Sequence, residues 1–124
     1  MKWLIALCAL IAGALPVMAA ESADTASVRC LVIYRPGPAW PKDTPVSALP
    51  LKEHGRYMLG LYAKDVLELA GPLGNDAGGA VLLNVPDRAA AEAIVLADPA
   101  VMAGIFNYEI HEWRLVAWEH YLHK

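Results

Sequence analysis

Cysteine is scarce in this chain of 124 residues: Cys8 and Cys30 are the two, and only Cys30 lies beyond the first twenty positions. That excludes a disulfide within the domain, so the fold must be held by packing. Clustered positive charge is also missing. Ten Lys and Arg against thirteen Asp and Glu give a net charge of −3, which becomes −4 once residues 1–20 and their single Lys are removed. Nucleic acid, which needs Lys and Arg grouped against phosphates, is thereby excluded as a partner. No apolar run reaches the roughly 20 residues that a bilayer-spanning helix requires. Nor is there length for two domains, because a unit below about 70–80 residues buries too little surface to be secure alone.

What is present begins with a leader. Met1 and Lys2 supply a positive start, Trp3 to Leu15 is an almost unbroken apolar run, and Pro16 to Ala20 ends it with small residues. This pattern reads as a secretory signal peptide over residues 1–20, which places the mature chain in the periplasm or outside the cell. Cys8 sits inside the apolar run rather than at its end, so it is not a lipoprotein cysteine. Glu21 to Ser27 is small and polar and reads as a flexible lead-in, leaving residues 28–124 as the domain.

Within that domain "VRCLVIYR", Val28 to Arg35, is a β-branched apolar run suited to a strand buried on both faces or nearly so. The segment 36–50 carries Pro36, Pro38, Pro41, Pro45 and Pro50. Such density excludes regular helix or central strand and makes a long, stiff connection, either a wall of a site or a solvated spacer. Leu51, His54, Met58 and Leu61 then recur at helical spacing and predict a helix ending near Ala63. "VLELAG" and "AVLLNV" predict a hairpin across the turn-rich "GPLGNDAGG". Asp87 caps a second helix whose predicted inner face is Ala90, Ala93, Ile94 and Ala97. "YEIHEWRLVAW", Tyr108 to Trp118, reads as a long final strand.

The order β-α-β-β-α-β is that of an α+β, ferredoxin-like domain: one antiparallel sheet with two helices on one face. The final strand has apolar residues of both parities, which helices on one side cannot bury. A second copy of the chain, forming a homodimer through the open sheet face, is the simplest cover.

Two polar residues stand in apolar surroundings. His54 lies on the inner stripe of the first helix, where an imidazole must find a hydrogen-bond partner, and a backbone carbonyl would suffice. Asp98, in "LADPAVMAGIF", precedes a Pro, and a helix cap accounts for it fully. His120 and His123 are three apart, but no Cys or carboxylate completes a metal set, so they read as a solvated tail. His111 reads equally as a surface position or a pocket-mouth residue. The Gly71-to-Gly79 turn offers amides to an oxyanion or is a plain hairpin.

The stretch "HGRYMLGLYAKDVLELAGPL", with His54, Tyr57, Met58, Leu61 and Gly71-Pro72, is followed by "ADPAVMAGIF" and "YEIHEW". In that order and spacing, from Val28 to Trp118, the chain resembles the YCII-related domain family. The resemblance implies a ferredoxin-like fold, usually dimeric with sheets packed face to face as in dimeric α/β barrels. It implies catalytic roles for His54 and Asp98, substrate-binding positions at Tyr57, Gly71, Pro72 and Trp113, and a small-molecule substrate; no cofactor or metal is expected. A few members are linked to removing chloride from chlorinated hydroxyquinones, and most have no assigned reaction. The chain departs from the pattern at Asp65, where a Gly commonly ends the first helix, and at Ala100, where an aromatic is frequent. The Pro-rich segment and the leader are further departures. Two functions follow as alternatives: an exported acid–base enzyme of lyase or isomerase type, or a non-catalytic dimeric module that binds a small ligand.

Overall fold

The computed structural model describes residue 13 and residues 26–122. The leader, apart from Gly13, the lead-in over residues 21–25 and His123 lie outside the described residues. Strand β1, Val28–Pro36, is followed by helix α1, Lys52–Ala63, and the hairpin β2, Leu67–Pro72, and β3, Gly79–Val85. Helix α2, Arg88–Leu96, short helix α3, Pro99–Met102, and strand β4, Phe106–Glu112, complete the domain. The four strands form one antiparallel sheet in the order β2-β3-β1-β4, the split βαβ arrangement anticipated from the order of elements.

Alternation along β1 decides the two faces of the sheet. Cys30, Val32 and Tyr34 are buried among Val81, Leu83, Val85 and Ile110 and the inner residues of the helices. Leu31 and Ile33, of opposite parity, are half-buried on the open face. Exposed Leu69 shares that face by its register with Leu82, and the ion pairs Arg35–Glu109, 2.6 Å, and Arg29–Glu68, 3.1 Å, flank it.

Two expectations are corrected. The buried residues of α2 are Ala91 and Val95, flanked by half-buried Ala90 and Ile94, whereas Ala93 and Ala97 are exposed. Ile94, Val95 and Leu96 follow one another and favour no single side, and it is Ala91 and Val95, four apart on one stripe, that turn inward. The last strand stops at Glu112 rather than running to Trp118. Its partner β1 begins at Val28, so after the Trp113 amide donates to the Arg29 carbonyl, 2.8 Å, no ladder remains to pair with. Leu115, Val116 and Trp118 are consequently exposed, and their apolar character does not mark a buried strand.

Asp65 occupies the left-handed position after α1, with φ of 59°, where a Gly would carry no Cβ penalty. The proline-rich segment folds back on the start of β4. Gly37 donates to the Ile105 carbonyl at 2.7 Å, an approach so close that a Cβ on Gly37 would meet the Gly104 carbonyl oxygen. Trp40 is buried against Phe106, ring centroids 5.8 Å apart, and its indole N–H donates to the Thr44 carbonyl at 2.8 Å. The segment is thus a packed wall rather than a solvated spacer.

Candidate active site

Helices α1 and α3 lie side by side. His54 emerges from the inner stripe of α1 between half-buried Leu51 and buried Met58. Asp98 is the N-cap of α3, followed by Pro99 at the first helical position. The far end of this short helix is closed by Gly104 in the left-handed region, φ 73°. There the Ile105 amide reaches the Ala100 carbonyl, 2.9 Å, and the Gly104 amide the Val101 carbonyl, 3.0 Å, the two bonds of a Schellman motif. The sequence Asp-Pro-x-x-x-Ala-Gly is therefore a complete one-turn helix with both caps, and it fixes where the Asp98 carboxylate sits.

That carboxylate is fully buried. A buried charge is costly unless it is hydrogen-bonded, and Asp98 meets three donors. Oδ1 accepts from the Ala100 amide at 2.9 Å, Oδ2 accepts from the Tyr34 hydroxyl at 3.1 Å, and His54 Nδ1 lies 2.9 Å and 2.8 Å from Oδ1 and Oδ2. A carboxylate can only accept, so Nδ1 carries the proton of this bond. Nε2, whose lone pair is then free in the neutral ring, makes no hydrogen bond among the described residues. The Tyr34 hydroxyl is held protonated well above its ordinary value of 10, first by burial and then by the Asp98 charge. Burial, followed by Asp98, also pushes the Tyr57 hydroxyl up.

The imidazole opens into a cavity of about 420 Å³. Tyr34 and Phe106 form an aromatic end, with the His54 ring edge-on to both at centroid distances of 5.9 Å and 5.2 Å. Leu51, Gly55 and Met58 line it from α1, Val46 and Ser47 from the proline-rich segment, and Gly71, Pro72 and Gly78 to Val81 from the hairpin. Gly78 has φ of 138°, and a Cβ there would run into the Tyr34 carbonyl oxygen, so this wall is backbone pressed against backbone. The walls are mostly apolar; the polar side chains among them are His54, Ser47 and Tyr34, whose hydroxyl is taken up by Asp98. A cavity of this size and lining suits a small ligand.

Of the positions singled out in the sequence, His54 and Asp98 are in contact, and Gly71 and Pro72 line the same cavity. Tyr57 does not line it; its hydroxyl donates to the Ile94 carbonyl at 2.7 Å and ties α1 to α2. Trp113 stands half-exposed beside Val28 and Arg29, away from the cavity lining. His111 bonds Glu109 at 3.1 Å on the open sheet face, and hydrogen bonds from Arg35 and then His111 hold the Glu109 carboxyl below its usual range. Tyr34, Ser47 and Phe106 join the site without a motif in the sequence to mark them. Tyr34 carried a signal nonetheless: it shares the core parity of Cys30 and Val32, and a hydroxyl on that face requires a partner.

The YCII-related domain family model matches residues 28–114. Among solved structures the chain is similar to a 5-chloro-2-hydroxyhydroquinone dehydrochlorinase from Burkholderia phenoliruptrix, determined in complex with 2,5-dihydroxybenzoquinone. The TM-score is 0.50 at 18% identity, over 73% of this chain and 97% of that one, a likeness of fold. No curated protein sequence matches the chain.

Proposed function

The chain belongs to the YCII-related domain family, and on that premise we propose that it is an exported acid–base enzyme of lyase or isomerase type. Its substrate is a small oxygenated, cyclic compound, and His54 and Asp98 carry the chemistry. The observation that supports this most is the 2.8 Å contact between His54 Nδ1 and Asp98 Oδ2 at the edge of an apolar cavity. With Nδ1 tied to the carboxylate, Nε2 is the base presented to a ligand. It takes a proton from a carbon or hydroxyl of the bound ring and returns it to another atom of the ring, or, where a leaving group departs with its bonding electrons, passes the proton on to solvent. Asp98 orients the ring and stabilises the imidazolium formed on the way. Help of this kind is worth about 10²–10⁴-fold in rate.

Gly71 and Pro72 bound the ligand space, whereas Tyr57 and Trp113 act outside it in this reading. The apolar open face carrying Leu31, Ile33 and Leu69 supports a homodimer with that face covered by a second copy. The leader pattern supports export.

The test uses 5-chloro-2-hydroxyhydroquinone and related chlorinated and unchlorinated hydroxyquinols as probes, with chloride release and ring absorbance as readouts. Turnover by the wild type that falls about 10²-fold or more in His54→Gln, with the fold kept, is the expected result. Equal rates in the two proteins overturn the assignment.

A second reading rests on one contact. Asp98 Oδ1 accepts the Ala100 amide, and that cap alone would keep the residue in a non-catalytic ligand-binding module. Ligand binding without turnover, unaffected by His54→Gln, would favour it.

A further inference from the structure

Asp98 is shared. Its Oδ2 receives the Tyr34 hydroxyl at 3.1 Å as well as His54 Nδ1 at 2.8 Å, and the three side chains come from β1, α1 and the cap of α3. Tyr34 is buried, stacks near Phe106 with centroids 5.0 Å apart, and stands opposite Gly79 and Tyr108 in the sheet. Its ring is wedged in place, and among the described residues its hydroxyl has one hydrogen-bond partner, the carboxylate.

We propose that Tyr34 is a positioning residue, whose hydroxyl anchors Asp98 and moderates the carboxylate's hold on His54. This rests on the His54–Asp98 pair described above. Two consequences follow from the chemistry of a carboxylate. A donor from the sheet on Oδ2 and the Ala100 amide on Oδ1 fix the plane of the group, so it meets His54 in one orientation. Each donor also draws charge from the oxygens, so the Tyr34 bond weakens the pull that Asp98 exerts on the Nδ1 proton. Tyr34 thereby limits how tightly the imidazole is held without touching the reacting atoms.

The Nδ1 proton reports this directly in nitrogen-edited proton NMR. Tyr34→Phe removes the competing donor and is expected to move the His54 Nδ1–H resonance downfield, as the bond to Asp98 tightens. Ring-fluorinated tyrosine, incorporated into the otherwise unchanged chain, makes the phenol a stronger donor and is expected to move it upfield. A tyrosine that only filled space would alter melting temperature in Tyr34→Phe but would leave the resonance in place. Asp98→Asn separates the two claims. If it moves the resonance while both tyrosine changes leave it unmoved, the role of Tyr34 is overturned and the pair stands. If Asp98→Asn leaves the resonance unmoved, the pair itself is overturned, and the role of Tyr34 with it. Should Tyr34→Phe fail to fold, the fluorinated protein decides: an upfield shift supports the proposal and an unmoved resonance overturns it.

Discussion

His54 Nδ1 and Asp98 Oδ2 are 2.8 Å apart although 44 positions separate the residues in the chain. One comes from the inner stripe of α1, the other from the cap of the short helix before the last strand. The carboxylate serves both the fold and the imidazole, which makes the cost of losing it larger than that of a cap.

Asp98→Ala is expected to destabilise the domain by about 3–5 kcal/mol, since it leaves buried donors without their acceptor. Asp87 is the internal standard. It caps α2 through the Ala90 amide at 2.8 Å but is exposed, so Asp87→Ala should cost about 1 kcal/mol. Urea unfolding of the two variants checks the difference, and equal losses would mean that Asp98 is only a cap.

Asp65→Gly is expected to stabilise the domain by about 0.5–1 kcal/mol. The residue holds φ of 59° just after α1, so its negative charge lies next to the helix C-terminus, an unfavourable end for it. A rise in melting temperature of roughly 2–8 °C, with ligand binding unchanged, is the expected outcome for a domain of this size.

Alkaline stability follows from the buried phenols. The Tyr34 hydroxyl is raised from its ordinary value of 10 by burial and then Asp98, while the unfolded chain ionises near that ordinary value. Above pH of about 10 the unfolded state therefore binds fewer protons than the native one, and stability falls as pH rises. Tyr57 and Tyr108, also raised chiefly by burial, act in the same direction. Denaturant titrations from pH 8 to 11 should show the decline in wild type and a shallower one in Tyr34→Phe.

The Cys30 thiol is buried, and burial followed by the nearby Glu112 charge pushes its titration up. Mass spectrometry of the peptide containing Cys30 should find it unmodified by a thiol reagent in native protein. Modification is expected only in step with unfolding by denaturant.

Much of this was legible in the sequence. Element order gave the sheet, because short β-branched or apolar runs mark β1 and β3 as strands while the three-to-four spacing of Leu51, His54, Met58 and Leu61 marks α1 as a helix. Polar residues in apolar settings singled out His54 and Asp98, and the Asp-Pro pair marked a cap. That the two touch was not legible, since contact between α1 and α3 depends on how both pack across the sheet; the family pattern alone suggested it. Tyr34 escaped notice because tyrosine is an ordinary strand residue and its hydroxyl gains meaning only once Asp98 is found beside it. With Leu115, Val116 and Trp118 the reason is the opposite: their apolar character suggested a strand that runs on to Trp118, but pairing ends where β1 begins.

The nitrogen chemical shifts of the imidazole report most directly whether Nδ1 of His54 is bound to Asp98 and Nε2 is offered to the ligand. They are to be recorded in wild type and Asp98→Asn, with and without 2,5-dihydroxybenzoquinone. The predicted result is a proton on Nδ1 in the neutral free ring, lost preference for that tautomer in Asp98→Asn, and a ligand-induced shift confined chiefly to Nε2. A neutral ring protonated at Nε2, or a spectrum indifferent to both the substitution and the ligand, would mean that Asp98 does not set the imidazole for a ligand.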